Sequence, residues 1–232
     1  MLKAKKIFMP VLIALVMFCL TLSPALRVTA QANSTPSIVK ITGDKAKKWV
    51  DTTQHAIEKG EVKKVAPLST FDFEGSQVYD IGGGVTFVAV PLHGNYSLTS
   101  NVTVFFKDNA VLQTNETLIT KNVVGNFQVN KYLNGVLTIS KDTGIAYKTN
   151  DQMLAENPTS GIQPMGKKKL LACLTVALGV SGTVATLIVA ACAGVCGALT
   201  PVTAPVCAAC IGGFAVVSGV GITGAVACFN LK

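Results

Sequence analysis

The sequence predicts an α+β fold: an N-terminal helix and an antiparallel β meander, followed by an all-α, disulfide-linked helical hairpin or small bundle. Residues 44–60 carry apolar side chains at helical spacing. Residues 84–140 contain segments rich in Val and Thr that alternate with turn-forming residues. Residues 170–231 contain six cysteines but no Asp, Glu, Lys, Arg or His. The chain therefore joins two chemically different parts.

The net charge of +8 raises the question of a nucleic-acid partner. The excess lysines lie near the N-terminus and at 167–169, whereas residues 33–160 balance twelve acidic residues with twelve basic ones. The chain has one Trp and no basic stripe interleaved with aromatic residues. The sequence therefore predicts no nucleic-acid partner.

Residues 1–32 have the layout of a secretory signal peptide. Lysines precede an apolar run over 7–22, and Ala30-Gln31-Ala32 precedes a polar stretch. We expect cleavage between Ala32 and Asn33 and a secreted protein. An uncleaved membrane anchor is the alternative, because the run is about long enough to span a bilayer. Cleavage would remove Cys19 and leave six cysteines, an even count that points to disulfides in an exported chain.

The region 33–152 is predicted to contain one amphipathic helix and then strands. Lys59-Gly60 ends the helix, whose apolar positions are Ala46, Trp49, Val50, Ala56 and Ile57. Successive hairpins favour an antiparallel meander of five segments: 84–92, 95–106, 110–120, 126–133 and 135–140. Gly82-Gly83-Gly84 lacks the spacing of a phosphate-binding loop, so we interpret it as a turn.

No catalytic constellation is evident, so we expect a protein that is not an enzyme and that has no cofactor or metal. The two histidines, His55 and His93, lie near no cysteine and no nucleophile-elbow motif, and both are predicted to be surface residues. Carboxylate pairs, such as Asp72 with Glu74, could meet in space. Any acidic domain offers such pairs.

Residues 153–169 are predicted to be a linker with a processing site. The segment is rich in Pro, Gly and Ser and ends in Lys167-Lys168-Lys169. This composition indicates an exposed, protease-accessible boundary, with cleavage expected between Lys169 and Leu170. The alternative is that the lysines flank a membrane segment on its cytoplasmic side.

The cysteines of the tail, residues 170–232, are spaced almost palindromically. The gaps are 18, 3, 10, 2 and 17 residues between Cys173, Cys192, Cys196, Cys207, Cys210 and Cys228. Folding the chain at 201–205 into two antiparallel helices sets Cys196 opposite Cys207, and Cys192 opposite Cys210. The outer pair, Cys173 with Cys228, needs a kink near 179–182 or different partners, because about 100° per residue turns Cys173 away from the shared face. Sequence alone leaves fifteen pairings of six cysteines.

Zinc and redox chemistry are the alternatives for the four central cysteines. Their spacing, three residues and then two around a gap of ten, is close to that of a four-thiolate zinc site. No histidine or polar support lies nearby and two cysteines would be left over, which argues against a metal. Cys207-Ala-Ala-Cys210 lies in an apolar stretch, unlike a thioredoxin-type pair beside a sheet.

The apolar tail predicts membrane lipid as a partner. Each arm of the hairpin has about 28 residues, against about 20 needed to cross a bilayer. Its many small residues suit close helix packing and an oligomer in lipid. The alternative is a compact disulfide-linked bundle that buries its Leu, Ile and Phe side chains and exposes Ala, Gly and Thr.

Two stretches of the tail, Cys192-Ala-Gly-Val-Cys196-Gly and Cys207-Ala-Ala-Cys210-Ile-Gly-Gly, follow a signal, a polar region and a linker. In this architecture and in roughly the last 63 residues, the chain resembles the precursors of halocin-type cysteine-rich bacteriocins. The resemblance implies a secreted antimicrobial peptide that is cut from the C-terminus of its precursor. It also implies that the N-terminal portion is a leader that neutralises the toxin and serves as immunity protein.

We therefore expect a bacteriocin precursor whose tail is released to permeabilise the membranes of competitors. Its expected partners are target-membrane lipid, its own proregion and processing proteases. The alternative is an exported β domain that an uncleaved, two-helix C-terminal hairpin anchors in the membrane.

Overall fold

The computed structural model describes residues 38–156, 168–197, 203–215 and 222–229. Its centre is a seven-stranded antiparallel sheet whose strands follow one another in chain order, which confirms the predicted meander and the α+β class. The predicted signal peptide, the Ala32–Asn33 bond and residues 157–167 of the predicted linker lie outside the described residues.

In the described ranges, one α-helix lies between the first two strands, and the other α-helices follow the last strand. The strands are β1 (Val39–Ile41), β2 (Gln77–Asp80), β3 (Val85–Pro91), β4 (Asn101–Lys107), β5 (Ala110–Lys121), β6 (Asn126–Leu133) and β7 (Val136–Ala146). The helices are α1 (Gly43–Glu58), α2 (Asn150–Leu154), α3 (Lys168–Leu178), α4 (Gly182–Cys196), α5 (Thr203–Ala215) and α6 (Ile222–Cys228).

Two-residue turns fix the register of the hairpins β4–β5 and β6–β7. Asp108 and Asn109 have φ values of 52° and 63°, and Asn134 and Gly135 have φ values of 49° and 78°. Turns with two left-handed residues match the right-handed twist of the paired strands, and Asn, Asp and Gly adopt this conformation most readily. The breaks that the sequence predicts after residues 106 and 133 are therefore tight turns.

Both faces of the central strands are covered, so the fold has three layers. On one face α1 packs against alternate residues of β3 and β4, with the ring centroids of Trp49 and Phe106 5.1 Å apart. On the other face Phe87, Ala89 and Phe105 pack against the helices of the tail. This is why β3 has a continuous run of buried residues rather than the alternation of a half-exposed strand.

The structure differs from the sequence-based expectation at four strands, β1, β2, β4 and β7. β1 and β2 were not predicted, and they have only three and four residues. Residues 95–100 form a turn, not a strand, in which the Ser97 amide donates to the Ile119 carbonyl at 2.9 Å and the Ser100 amide to the Ser97 carbonyl at 2.7 Å. β7 continues to Ala146 because it pairs with β6 through two register shifts.

A buried carboxylate ties the segment after α1 to the sheet. Glu116 on β5 is 1 % exposed and accepts hydrogen bonds from the backbone amides of Val65 and Ala66, at 2.8 and 2.7 Å. Burial raises the pKa of Glu116, and the two amides and the nearby Lys64 offset this only in part. The two amides depend on this side chain as their acceptor.

Substituting Glu116→Ala is expected to lower the free energy of unfolding by about 2 kcal/mol, because it removes the acceptor of the buried Ala66 amide and of the partly buried Val65 amide. Urea denaturation monitored by Trp49 fluorescence measures the change. The control is Glu61→Ala at an exposed position. Equal midpoints for the two variants would contradict this account of Glu116.

The described tail is a small helical bundle rather than two unbroken arms. Gly179 has a φ of 63° and ends α3, and the Ser181 hydroxyl accepts from the Val184 amide to begin α4. The expected kink near 179–182 is therefore present, and α3 and α4 meet at 111°. No single helix in the described ranges is long and apolar enough to cross a membrane; α3 and α4 meet the length and composition criteria only as this bent pair.

Candidate functional site at the interface of sheet and tail

The six cysteines of the tail form three disulfides. Cys173 on α3 is bonded to Cys228 on α6, whereas Cys192 and Cys196 on α4 are bonded to Cys210 and Cys207 on α5. The bend after α3 accommodates the outer bridge, which an unbroken arm would hold on the wrong face. Three disulfides are typical of proteins outside the reducing cytosol. Over the ranges that the structure describes, no three His, Cys, Asp or Glu residues could hold a metal ion.

The large apolar side chains of the tail are buried in one core that they share with the sheet. From the tail this core contains Leu174, Leu178, Leu187, Ile188, Ile211 and Phe214, all fully buried. Tyr79, Phe87 and Phe127 contribute from the sheet. Exposed positions on the described tail are mostly Gly and Ala, with Val176 as an exposed large residue. The burial of these side chains agrees with the compact, disulfide-linked alternative for the tail, except that the sheet supplies part of the core.

Helix α5 approaches the sheet closely at two glycines. A Cβ on Gly212 would lie 2.9 Å from Cζ of Phe87, and one on Gly213 would lie 2.3 Å from Oδ1 of Asn101. Neither neighbour is free to move, because Phe87 is fully buried between two other rings and the Asn101 side chain bonds to Thr99 and Thr103. Only glycine allows this packing distance.

Lys131 on β6 reaches across the interface to the disulfide-linked pair α4 and α5. Its Nζ donates to the Ala191 carbonyl at 3.1 Å and lies 3.6 Å from Sγ of Cys210. Burial lowers the pKa of Lys131. The sheet thus places a partly buried cation beside a tail that has no charged side chain of its own between 170 and 231.

A polar cluster, here called the polar latch, consists of Lys148, Glu156, Ser181 and Thr183. Lys148 forms an ion pair with Glu156, and the Thr183 hydroxyl donates to Oε1 of Glu156 at 3.1 Å. Burial raises the pKa of Glu156, but hydrogen bonds from Lys148, Thr183 and Ser181 outweigh it, so the pKa lies below the usual glutamate value. The latch joins the end of the β region to the start of α4.

The polar latch predicts a loss of stability in acid. A carboxyl group whose folded pKa is lowered stabilises the fold above its unfolded pKa, about 4.3, and this contribution disappears as the pH falls through the folded pKa. Glu156→Gln should therefore flatten the decrease in unfolding free energy below about pH 4. Urea denaturation at pH 3, 4 and 7 measures it, with exposed Glu61→Gln as control. The same slope in Glu156→Gln and the unsubstituted protein would contradict the prediction.

The predicted site residues are distributed as follows. Lys169 is exposed and Leu170 half-buried, and both lie in the first turn of α3, where helices fray. His55 and His93 are exposed. Asp72 accepts from the Gly75 amide at 2.9 Å and so stabilises a turn.

Sequence reasoning missed three features of the interface: Lys131, the Gly212-Gly213 pair and the polar latch. Lys131 could have been found, since it follows Phe127 and Val129 at alternate positions of β6 and so shares their buried face. The glycine contacts and the latch depend on residues far apart in the chain, which no local pattern relates.

No protein-family model, curated protein or solved structure matches this chain.

Proposed function

We propose that the chain is the precursor of a secreted bacteriocin of the halocin type, in which the β region holds an apolar, disulfide-linked peptide until it is released. The observation that carries the proposal is the shared core: a tail with no charged side chain between 170 and 231 buries its large apolar side chains against the sheet. The protein would act by holding and releasing the tail, not by catalysis.

The position of the disulfides supports release by proteolysis. All three join one part of the tail to another, and none joins the tail to the sheet. A single cut between Lys169 and Leu170 would therefore leave only non-covalent contacts between the two parts. The tribasic sequence that precedes this bond suits a protease that recognises lysine.

The release would turn the interface into a lipid-binding surface. The faces of α4 and α5 that cover the sheet are apolar, and their glycines and alanines permit close contact. Without the sheet these faces would be exposed to water, and exposed apolar patches of this kind favour membranes or self-association. While docked, the same faces are covered, so the β region would neutralise the peptide and serve as leader and immunity protein.

Mass spectrometry of culture medium tests the release. The expected product spans residues 170–232 and gains six hydrogens on reduction, as three disulfides require. Substituting all three lysines 167–169 by Gln should keep the chain intact. The purified peptide should release dye from anionic vesicles, and the intact chain should not.

Two outcomes would contradict the proposal. A peptide that leaves vesicles sealed would argue against membrane activity. An intact chain that stays in the pellet after carbonate extraction would instead support the alternative of an exported β domain with a C-terminal membrane anchor.

A further inference from the structure

The Cys192–Cys210 disulfide differs from an ordinary buried bridge because a cation of the β region lies against it. Nζ of Lys131 is 3.6 Å from Sγ of Cys210 and is held there by its hydrogen bond to the Ala191 carbonyl, one residue before Cys192. The contact crosses the interface, so it exists only when the tail is docked on the sheet.

The two cysteines of this bridge differ in access. Cys192 is fully buried, whereas Cys210 is partly exposed. A small-molecule disulfide can therefore reach Cys210 first, and Cys192 can react only with a group already attached to Cys210. The lysine lies next to the accessible cysteine of the pair.

The neighbours of Lys131 named here include no carboxylate that would pair with its ammonium group in place of a thiolate. Across the sheet it faces Thr117 on β5 and Ile139 on β7, which are uncharged. Lys141, opposite Val129, shares this face and is exposed. The tail contributes no carboxylate and no histidine between 170 and 231.

We propose that the β region directs the oxidation of the Cys192–Cys210 pair, with Lys131 as the positioning residue that stabilises the thiolate of Cys210. A thiolate beside an ammonium group forms at lower pH than a free one, and the thiolate is the nucleophile in disulfide exchange. The proposal concerns the making of the tail and does not depend on what the tail does after release.

The reaction uses a small-molecule disulfide of the glutathione class as oxidant. The Cys210 thiolate attacks one sulfur, the small disulfide breaks, and one small thiolate leaves. Cys192 then loses its proton to solvent and attacks Sγ of Cys210, which expels the second small thiolate. Two cysteine thiols are oxidised, and one small disulfide is reduced to two thiols.

The first test follows the alkylation of Cys210 in the full chain with Cys192→Ser, which leaves this thiol free beside Lys131. The rate of reaction with iodoacetamide between pH 5 and 10 should show a midpoint below the value of about 8.5 for free cysteine. Adding Lys131→Met should raise the midpoint, and one unit would slow alkylation at pH 7 roughly tenfold. Lys131→Arg should keep it low. The midpoint of the pH profile reports the effect of the Lys131 charge on the Cys210 thiol, whereas the rate also depends on how easily the reagent reaches the sulfur.

Lys141→Met is the matched control, since it removes an exposed lysine from the same face and should leave the midpoint unchanged. Identical midpoints with and without Lys131→Met would overturn the proposal. A second measurement applies even if Cys192→Ser does not fold: the reduced chain with all six tail cysteines is oxidised with glutathione disulfide, quenched in acid and mapped by mass spectrometry. The Cys210 adduct should form several-fold faster in the unsubstituted chain than in the Lys131→Met chain, and equal rates would also overturn the proposal.

Discussion

Replacing Cys173 and Cys228 together by alanine is expected to lower the free energy of unfolding by about 4 kcal/mol, more than the loss of either inner bridge. A disulfide restricts the unfolded chain more strongly when it closes a longer loop. The outer bridge joins residues 55 apart, and the inner Cys192–Cys210 bridge shortens this loop by only 18. The Cys196–Cys207 bridge, at a separation of 11 and inside the other two, should contribute the least.

Guanidinium denaturation of the three double alanine variants measures this order. Each variant removes one bridge and keeps two, so the comparison holds the composition nearly constant. If the Cys196–Cys207 variant were the least stable, loop closure would not explain the order of stabilities. The local packing of these two buried cysteines would then be the better explanation.

Substituting Gly213→Leu is expected to separate α5 from the sheet at a cost of about 3 kcal/mol, the upper part of the range for overpacking. Its side chain would enter space that the Asn101 amide fills, and Asn101 is 3 % exposed with its own hydrogen bonds to keep. The helix would have to move away from β3 and β4, which would also break the contact of Gly212 with Phe87.

Gly194→Leu on α4 is the matched control. A Cβ on Gly194 meets no atom within 4 Å, so the same change there should stabilise its helix slightly through better helix propensity. Urea denaturation and limited proteolysis measure both variants. Equal stability of the Gly213 and Gly194 variants would show that α5 does not rely on close contact with the sheet.

Local patterns predicted much of the fold. The helix at 44–60, the strand at 126–133 and the turns at 108–109 and 134–135 follow from periodicity and from residues that accept left-handed conformations. β2 escaped prediction because it has only four residues, and its pairing with β3 rather than its own pattern holds it in place.

The interface was predictable only in part. The spacing of the cysteines set the right residues opposite one another, and the need for a kink pointed to 179–182, because both follow from helix geometry. That the tail packs on the sheet could not be derived, since an apolar helix pattern does not distinguish a protein core from lipid. Tertiary contacts, such as those of Gly213 and Lys131, determine that the tail packs on the sheet.

The outermost disulfide also determines how the chain responds to accidental damage. Because Cys173 and Cys228 are covalently joined, any one peptide bond broken between them leaves the fragments connected through sulfur. Such nicks would change the mass by one water without dividing the molecule. A break before Cys173 has the opposite result, since no bridge spans it. The topology thus keeps the tail connected after a random cut between Cys173 and Cys228, whereas a single cut anywhere before Cys173 separates it from the β region.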